Sequence, residues 1–97
     1  MQRFDKMLWW LIGGTRGGKN RLRIILKLEE QPMNANNLSE ELNLDYKTIG
    51  HHLELMEEHN VVTTIGEGYG KNYVLTEQME ENLDQLEKVR EQADIDI

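Results

Sequence analysis

Cysteine is absent from this 97-residue chain, and proline and serine each occur once, as Pro32 and Ser39. Without a thiol there is no disulfide framework, no thiolate metal site and no cysteine nucleophile. With a single serine, no serine–histidine–acid set is spaced for acyl chemistry, and the paired acids Glu29-Glu30 and Glu57-Glu58 fall on solvated helix faces. No enzyme is expected. Long apolar runs are missing as well. The cluster MLWWLI, Met7 to Ile12, precedes Gly-Gly and falls far short of the roughly 18 residues of a membrane span. A signal peptide needs a longer apolar region and a small-residue cleavage site, so a cytoplasmic location is expected.

What charge there is lies unevenly. The formal net charge is −7. Up to Glu30 there are seven Lys/Arg against three Asp/Glu; after it there are four against fifteen. The acids are densest from Glu77 to Ile97, where eight face only Lys88 and Arg90. A chain polarised in this way can offer a basic face to a polyanion, but no broad basic field steers one to it.

Apolar periodicity places the elements. Phe4, Met7, Leu8 and Leu11 predict a short amphipathic helix over Gln2–Ile12, with Trp9 and Trp10 widening its stripe. GGTRGG, residues 13–18, breaks it. Lys19–Glu30 resumes helical spacing through Leu22, Ile25, Leu26 and Leu28, and Pro32 ends that helix because it cannot continue the hydrogen-bond ladder. Met33–Asn36 reads as an extended link. Asn36 or Asn37 is the expected cap of a helix over Leu38–Leu42, with Glu40 near the reciprocal capping position. Leu44 plugs the following turn. Asp45 then caps Tyr46–His59, whose Ile49, Leu53 and Met56 form the inward stripe, and Asn60 closes it in a left-handed conformation. Val61–Ile65 and Asn72–Leu75 read as strands around a glycine-rich tip, Gly66–Gly70. Thr76 caps a last helix, Glu77 to about Gln92.

Helix, tight turn, helix and hairpin in that order give an α+β fold, a winged helix-turn-helix with flanking N- and C-terminal helices. The second helix of such a pair is shaped for the DNA major groove. One domain is expected over 1–97: an N-terminal helix and glycine-rich hinge (1–18), the winged-helix core (19–76) and an acidic C-terminal helix (77–97). On the recognition helix, Tyr46, Lys47, Gly50, His51 and Glu54 lie opposite the apolar stripe. Tyr46, Lys47 and Thr48 stand near its N-terminus, where the helix dipole favours phosphate. Gly50 in mid-helix lets another backbone approach closely.

Residues 20–76 resemble ArsR-like winged-helix transcription regulators. The stretch LNLDYKTIGHHLELMEEHNVV is similar to that family's recognition-helix pattern. It carries the pairs Thr48-Ile49 and His52-Leu53, and has Asn60 where the family usually has glycine. WWLIGGTRGG and GYGKNY look like a group of small archaeal members. The resemblance implies that Tyr46, Lys47, Thr48, Gly50 and His51 face double-stranded DNA. The chain departs from the pattern at Gly50 and His51, where a hydroxyl and an arginine are common, and it lacks the family's thiolate metal ligands.

Arg16, Lys19, Arg21, Tyr69 and Lys71 are the candidate phosphate contacts. The loop GGTRGGKNR lacks P-loop spacing and reads as a hinge. His51 and His52 diverge by about 100° on a helix, so neither a metal nor a cofactor is expected. Phe4, Met7, Leu8 and Leu11, with Met79, Leu83, Leu86 and Val89, form narrow seams suited to a partner helix, giving an expected homodimer. Trp9 and Trp10 are expected to bury against the last helix or a second subunit. The competing expectation, from the acidic balance and the missing arginine, is a protein–protein interaction module with weak or no DNA binding. A third expectation is a small-molecule sensor with a pocket lined by Trp9 and Trp10, its effector unknown.

Overall fold

The computed structural model describes residues 3–68 and 71–97. It begins with α1, Phe4–Leu8, which runs on as a π-helical turn over Trp9–Gly13. The helical periodicity of the sequence is therefore right, but its last turn is wider than an α-helix. Gly14 N–H reaches back to the Trp9 carbonyl at 2.8 Å. That widening frees carbonyl groups. Thr15 Oγ1 donates to Trp10 O at 3.0 Å, and Arg21 Nε donates to Leu11 O at 2.8 Å. Gln2, the expected start of the helix, lies outside the described residues.

Two glycines let the chain turn back on itself. Gly17 has φ of 88°, and a Cβ on Gly18 would lie 1.8 Å from Ile12 O. Only glycine allows that approach, so α2, Gly18–Glu30, starts directly against the π turn. Its buried stripe is Leu22, Ile24, Ile25 and Leu28. Ile24 takes the core place expected of Leu26, which is half-buried.

After Pro32, Met33 pairs with Tyr73 through two backbone bonds of 3.2 and 2.8 Å. This bridge fixes the chain as extended at Asn34. Asn34, not Asn36 or Asn37, therefore becomes the cap, its Oδ1 accepting from Asn37 N–H at 2.7 Å. Helix α3 consequently spans Ala35–Leu42, three residues longer than expected at its start. It closes on Asn43 at φ 54°, and the half-buried Leu44 fills the turn, its carbonyl accepting from Ser39 Oγ at 2.5 Å. Arg23 binds α2 to this end of α3, donating to Leu42 O at 2.9 Å.

Helix α4, Tyr46–Glu58, is followed by Asn60 at φ 60° and an antiparallel hairpin. Strands β1, Val62–Ile65, and β2, Asn72–Leu75, pair with Val62 opposite Leu75 and Ile65 opposite Asn72. Thr76 then closes a junction. Its hydroxyl donates to Asn60 O at 2.7 Å and accepts from Met79 N–H at 3.0 Å.

The single terminal helix expected from Glu77 to Gln92 is two: α5, Glu77–Glu81, and α6, Leu83–Gln92. They meet at Asn82, whose side chain donates to Gln78 O at 2.8 Å. The bend follows from packing, because Met79, Leu86 and Val89 all enter the same core as α1 and the π turn.

The expected partner seam is corrected by that packing. Met7, Leu8, Leu11, Met79, Leu86 and Val89 are buried within one chain, and the half-buried Phe4 and Leu83 pack against the same cluster. The terminal helices close the core of the chain, and their outer side faces solvent. Truncation of the fully buried Leu8 to alanine is expected to lower unfolding free energy by about 2–5 kcal/mol, measured by urea denaturation. A seam residue free of the core would show almost no change.

Candidate nucleic-acid interface

Asp45 sets the direction of α4. Its carboxylate accepts from the N–H groups of Lys47 (3.0 Å) and Thr48 (3.3 Å), so the helix begins abruptly at the surface. Ile49, Leu53 and Met56 lock the opposite side, each essentially without solvent exposure. The outer side is a shallow open groove lined by Asp45, Tyr46, Lys47, Gly50, His51 and Glu54. Tyr46 is 60% exposed at its head. A Cβ on Gly50 would meet nothing within 4 Å, so the middle of the groove is bare backbone. Thr48 does not line it. It is half-buried and lies four residues before His52, on the flank that turns toward the hinge.

A second cleft, of about 270 Å³, lies where the wing meets the start of α3. Asn34, Asn36, Tyr46, Lys71 and Tyr73 border it, and Lys71 Nζ stands 5.6 Å from the centre of the Tyr73 ring. Tyr46 thus belongs to both surfaces, and Lys71 borders the same cleft from the wing side. Tyr69 is outside the described residues. Arg16 and Lys19 are exposed beside the hinge. The hinge itself rests on α4, since a Cβ on Gly17 would come within 2.9 Å of His52 Cε1.

Arg21 is corrected: it is 4% exposed and faces inward, not toward a phosphate. Its guanidinium donates to Leu11 O, to Arg16 O at 3.1 Å and to Thr15 Oγ1, and lies 3.3 Å from His52 Nδ1. All four partners are neutral acceptors, which requires the His52 tautomer with an unprotonated Nδ1. The signal was present in the spacing, for Arg21 stands at i, i+4 and i+7 with Ile25 and Leu28. Asn34, Asn36 and Tyr73 were missed as neighbours of the interface because the Met33–Tyr73 bridge, a contact distant in sequence, carries the wing to α3.

The family described as "Bacterial regulatory protein, arsR family" matches residues 18–64. Over those residues, just under half of the chain, the helix-turn-helix is similar to that of the ArsR family. A winged helix-turn-helix of this kind is the DNA-binding unit of transcription regulators. Solved structures share the fold. HlyU from Vibrio vulnificus, a transcriptional regulator, superposes with a TM-score of 0.65 at 24% identity, over 87% of this chain and 86% of that one. A MarR transcriptional regulator from Methanosarcina mazei gives 0.67 at 14% identity, over 94% and 71%. RV1404 from Mycobacterium tuberculosis gives 0.68 at 12% identity, over 92% and 63%, so this chain spans under two thirds of that protein's length. No curated protein matches the chain. Among the described residues, no helix is long and apolar enough to cross a membrane.

The helix-turn-helix carries a titratable group at the joint between the hinge and α4. Burial first, then the Arg21 charge and the neighbouring His51, hold the His52 pKa below its ordinary value. An unfolded histidine protonates near pH 6.5, so just below that pH the unfolded chain binds more protons than the folded one. The His52 contribution is therefore complete above about pH 6.5 and is lost as the pH falls toward the lower folded value. Urea midpoints measured between about pH 7 and pH 5 are expected to fall with acidification. His52→Gln, which keeps an acceptor for Arg21, is expected to flatten that decline.

Proposed function

We propose that the protein is a cytoplasmic transcription regulator that binds double-stranded DNA as a homodimer, each subunit laying the start of α4 into a major groove. The observation that carries this reading is the Asp45-capped helix, locked on one side by Ile49, Leu53 and Met56 and open on the other. Its length, exposure and position between α3 and the hairpin suit a recognition helix. Tyr46, Lys47 and His51 face base edges, with Thr48 on the flank. Arg16, Lys19 and Lys71 supply phosphate contacts, and Tyr69 is assigned to the same role from the sequence.

Cations are few on this face: within the groove Lys47 stands against Asp45 and Glu54. Counterion release is correspondingly small, so affinity is modest and the salt slope shallow for a DNA-binding protein. Anisotropy titrations on duplex DNA at several salt concentrations test the assignment. Lys47→Ala is expected to weaken binding across sequences and to reduce the logarithmic salt slope by about one. Equal binding by parent and variant would reject this face.

The homodimer is assigned to the outer side of the N-terminal segment. Trp9 and Trp10 remain 42% and 40% exposed there, so of the two expected burials, against the last helix or a second subunit, the first is incomplete within the chain. Trp9 borders an open groove with Lys6, Lys88 and Val89 between α1 and α6. The Trp10 ring meets His59 edge-on at 5.3 Å, next to the end of α4. Burial of two such rings against a second copy adds large apolar area without breaking the core. Sedimentation equilibrium is expected to give a dimer for the parent and a monomer for the double variant Trp9→Ala/Trp10→Ala. A monomeric parent at tens of micromolar would remove the dimer.

A further inference from the structure

The reading face has two features that phosphate contact does not use. At Gly50 the groove floor has no side chain and stands open. One turn further on, Glu54 exposes a carboxylate on the same wall. A carboxylate repels phosphates, and in a major groove it can only accept hydrogen bonds from base amines. Adenine sets its N6 amine beside the N7 acceptor, which opposes a carboxylate. Cytosine offers its N4 amine as its only polar group there. The floor beside Glu54 is suited to an apolar projection, and the one that the major groove presents is the thymine C5-methyl.

Resting on the DNA-binding reading above, we propose that Glu54 and Gly50 determine base specificity. Glu54 accepts from the N4 amine of a cytosine, and the backbone notch at Gly50 admits the methyl of a neighbouring thymine. Glu54 works in both directions: opposite a base without an amine its charge is desolvated and unpaired, so wrong sites are rejected as well as the right one held. A face with so few cations then discriminates by base edge more than by charge.

The test is selection of binding sites from randomised duplexes at low salt, followed by titration of the selected site. The parent is expected to enrich cytosine at one position per contacted half-site, with about tenfold discrimination. Glu54→Gln is expected to replace that cytosine by adenine, the base a glutamine reads with both its amide groups, and to leave other positions unchanged. The parent is expected to lose affinity when the thymine is replaced by deoxyuridine, which lacks only the methyl. Gly50→Ala is expected to melt at a higher temperature than the parent, because alanine favours the helix, yet to lose the thymine preference. Selection of the same sequence by parent and Glu54→Gln, or indifference of the parent to deoxyuridine, would overturn the proposal while leaving DNA binding intact. A parent that binds no duplex would overturn both readings.

Discussion

The Arg21 guanidinium joins three segments that neighbouring sequence alone would not bring together: the π turn through Leu11 O, the hinge through Thr15 and Arg16, and the recognition helix through His52. A buried charge left without partners destabilises a fold by several kcal/mol (about 3–5 when a partner is removed). Each hydrogen bond to such a charge contributes on the order of 1.5–3 kcal/mol. The π turn is therefore a functional part of the scaffold. Its widened ring turns a carbonyl toward the guanidinium, and Gly17 and Gly18 let α2 start close enough for Arg21 to reach it. The orientation of α4 is coupled in this way to the N-terminal segment, not only to its partner helix α3.

The same closeness explains the fate of the terminal helices. With α2 lying against the π turn, the space over it is filled by Met79, Leu86 and Val89, and the chain bends at Asn82 to bring them in. The apolar stripe that looks like a coiled-coil seam in one dimension is the lid of a small core in three. With that stripe taken from the surface, Trp9 and Trp10 are the large apolar side chains of the N-terminal segment that remain outside. Trp10 touches His59 at the end of the recognition helix, so a contact between subunits at this place would bear directly on how α4 is held.

Much of the DNA-binding unit was legible in the residues. Asp45 as a cap, Ile49, Leu53 and Met56 as the inward stripe, and Asn60 as a left-handed stop all depend on local chemistry, and all stand as expected. The start of α3 was less legible because Asn34, Asn36 and Asn37 are equally good caps. The choice among them falls to a strand bridge made by Tyr73, some forty residues away in sequence. Arg21 was misread because a cation beside a glycine-rich loop suggests phosphate, although its spacing with Ile25 and Leu28 places it on the buried side.

By itself the sequence determined the order of helix, turn, helix and hairpin, the cap and stop of α4, and which side of α4 is apolar, since these follow from side-chain hydrogen bonding and periodicity over a few residues. Tertiary structure decided which apolar stripes are consumed within one subunit, which of three asparagines caps α3, and whether a given cation meets solvent or carbonyl oxygens. Those outcomes depend on close approach between segments far apart in the chain, and a linear pattern does not encode the distance between Gly18 and Ile12 or between Arg21 and His52.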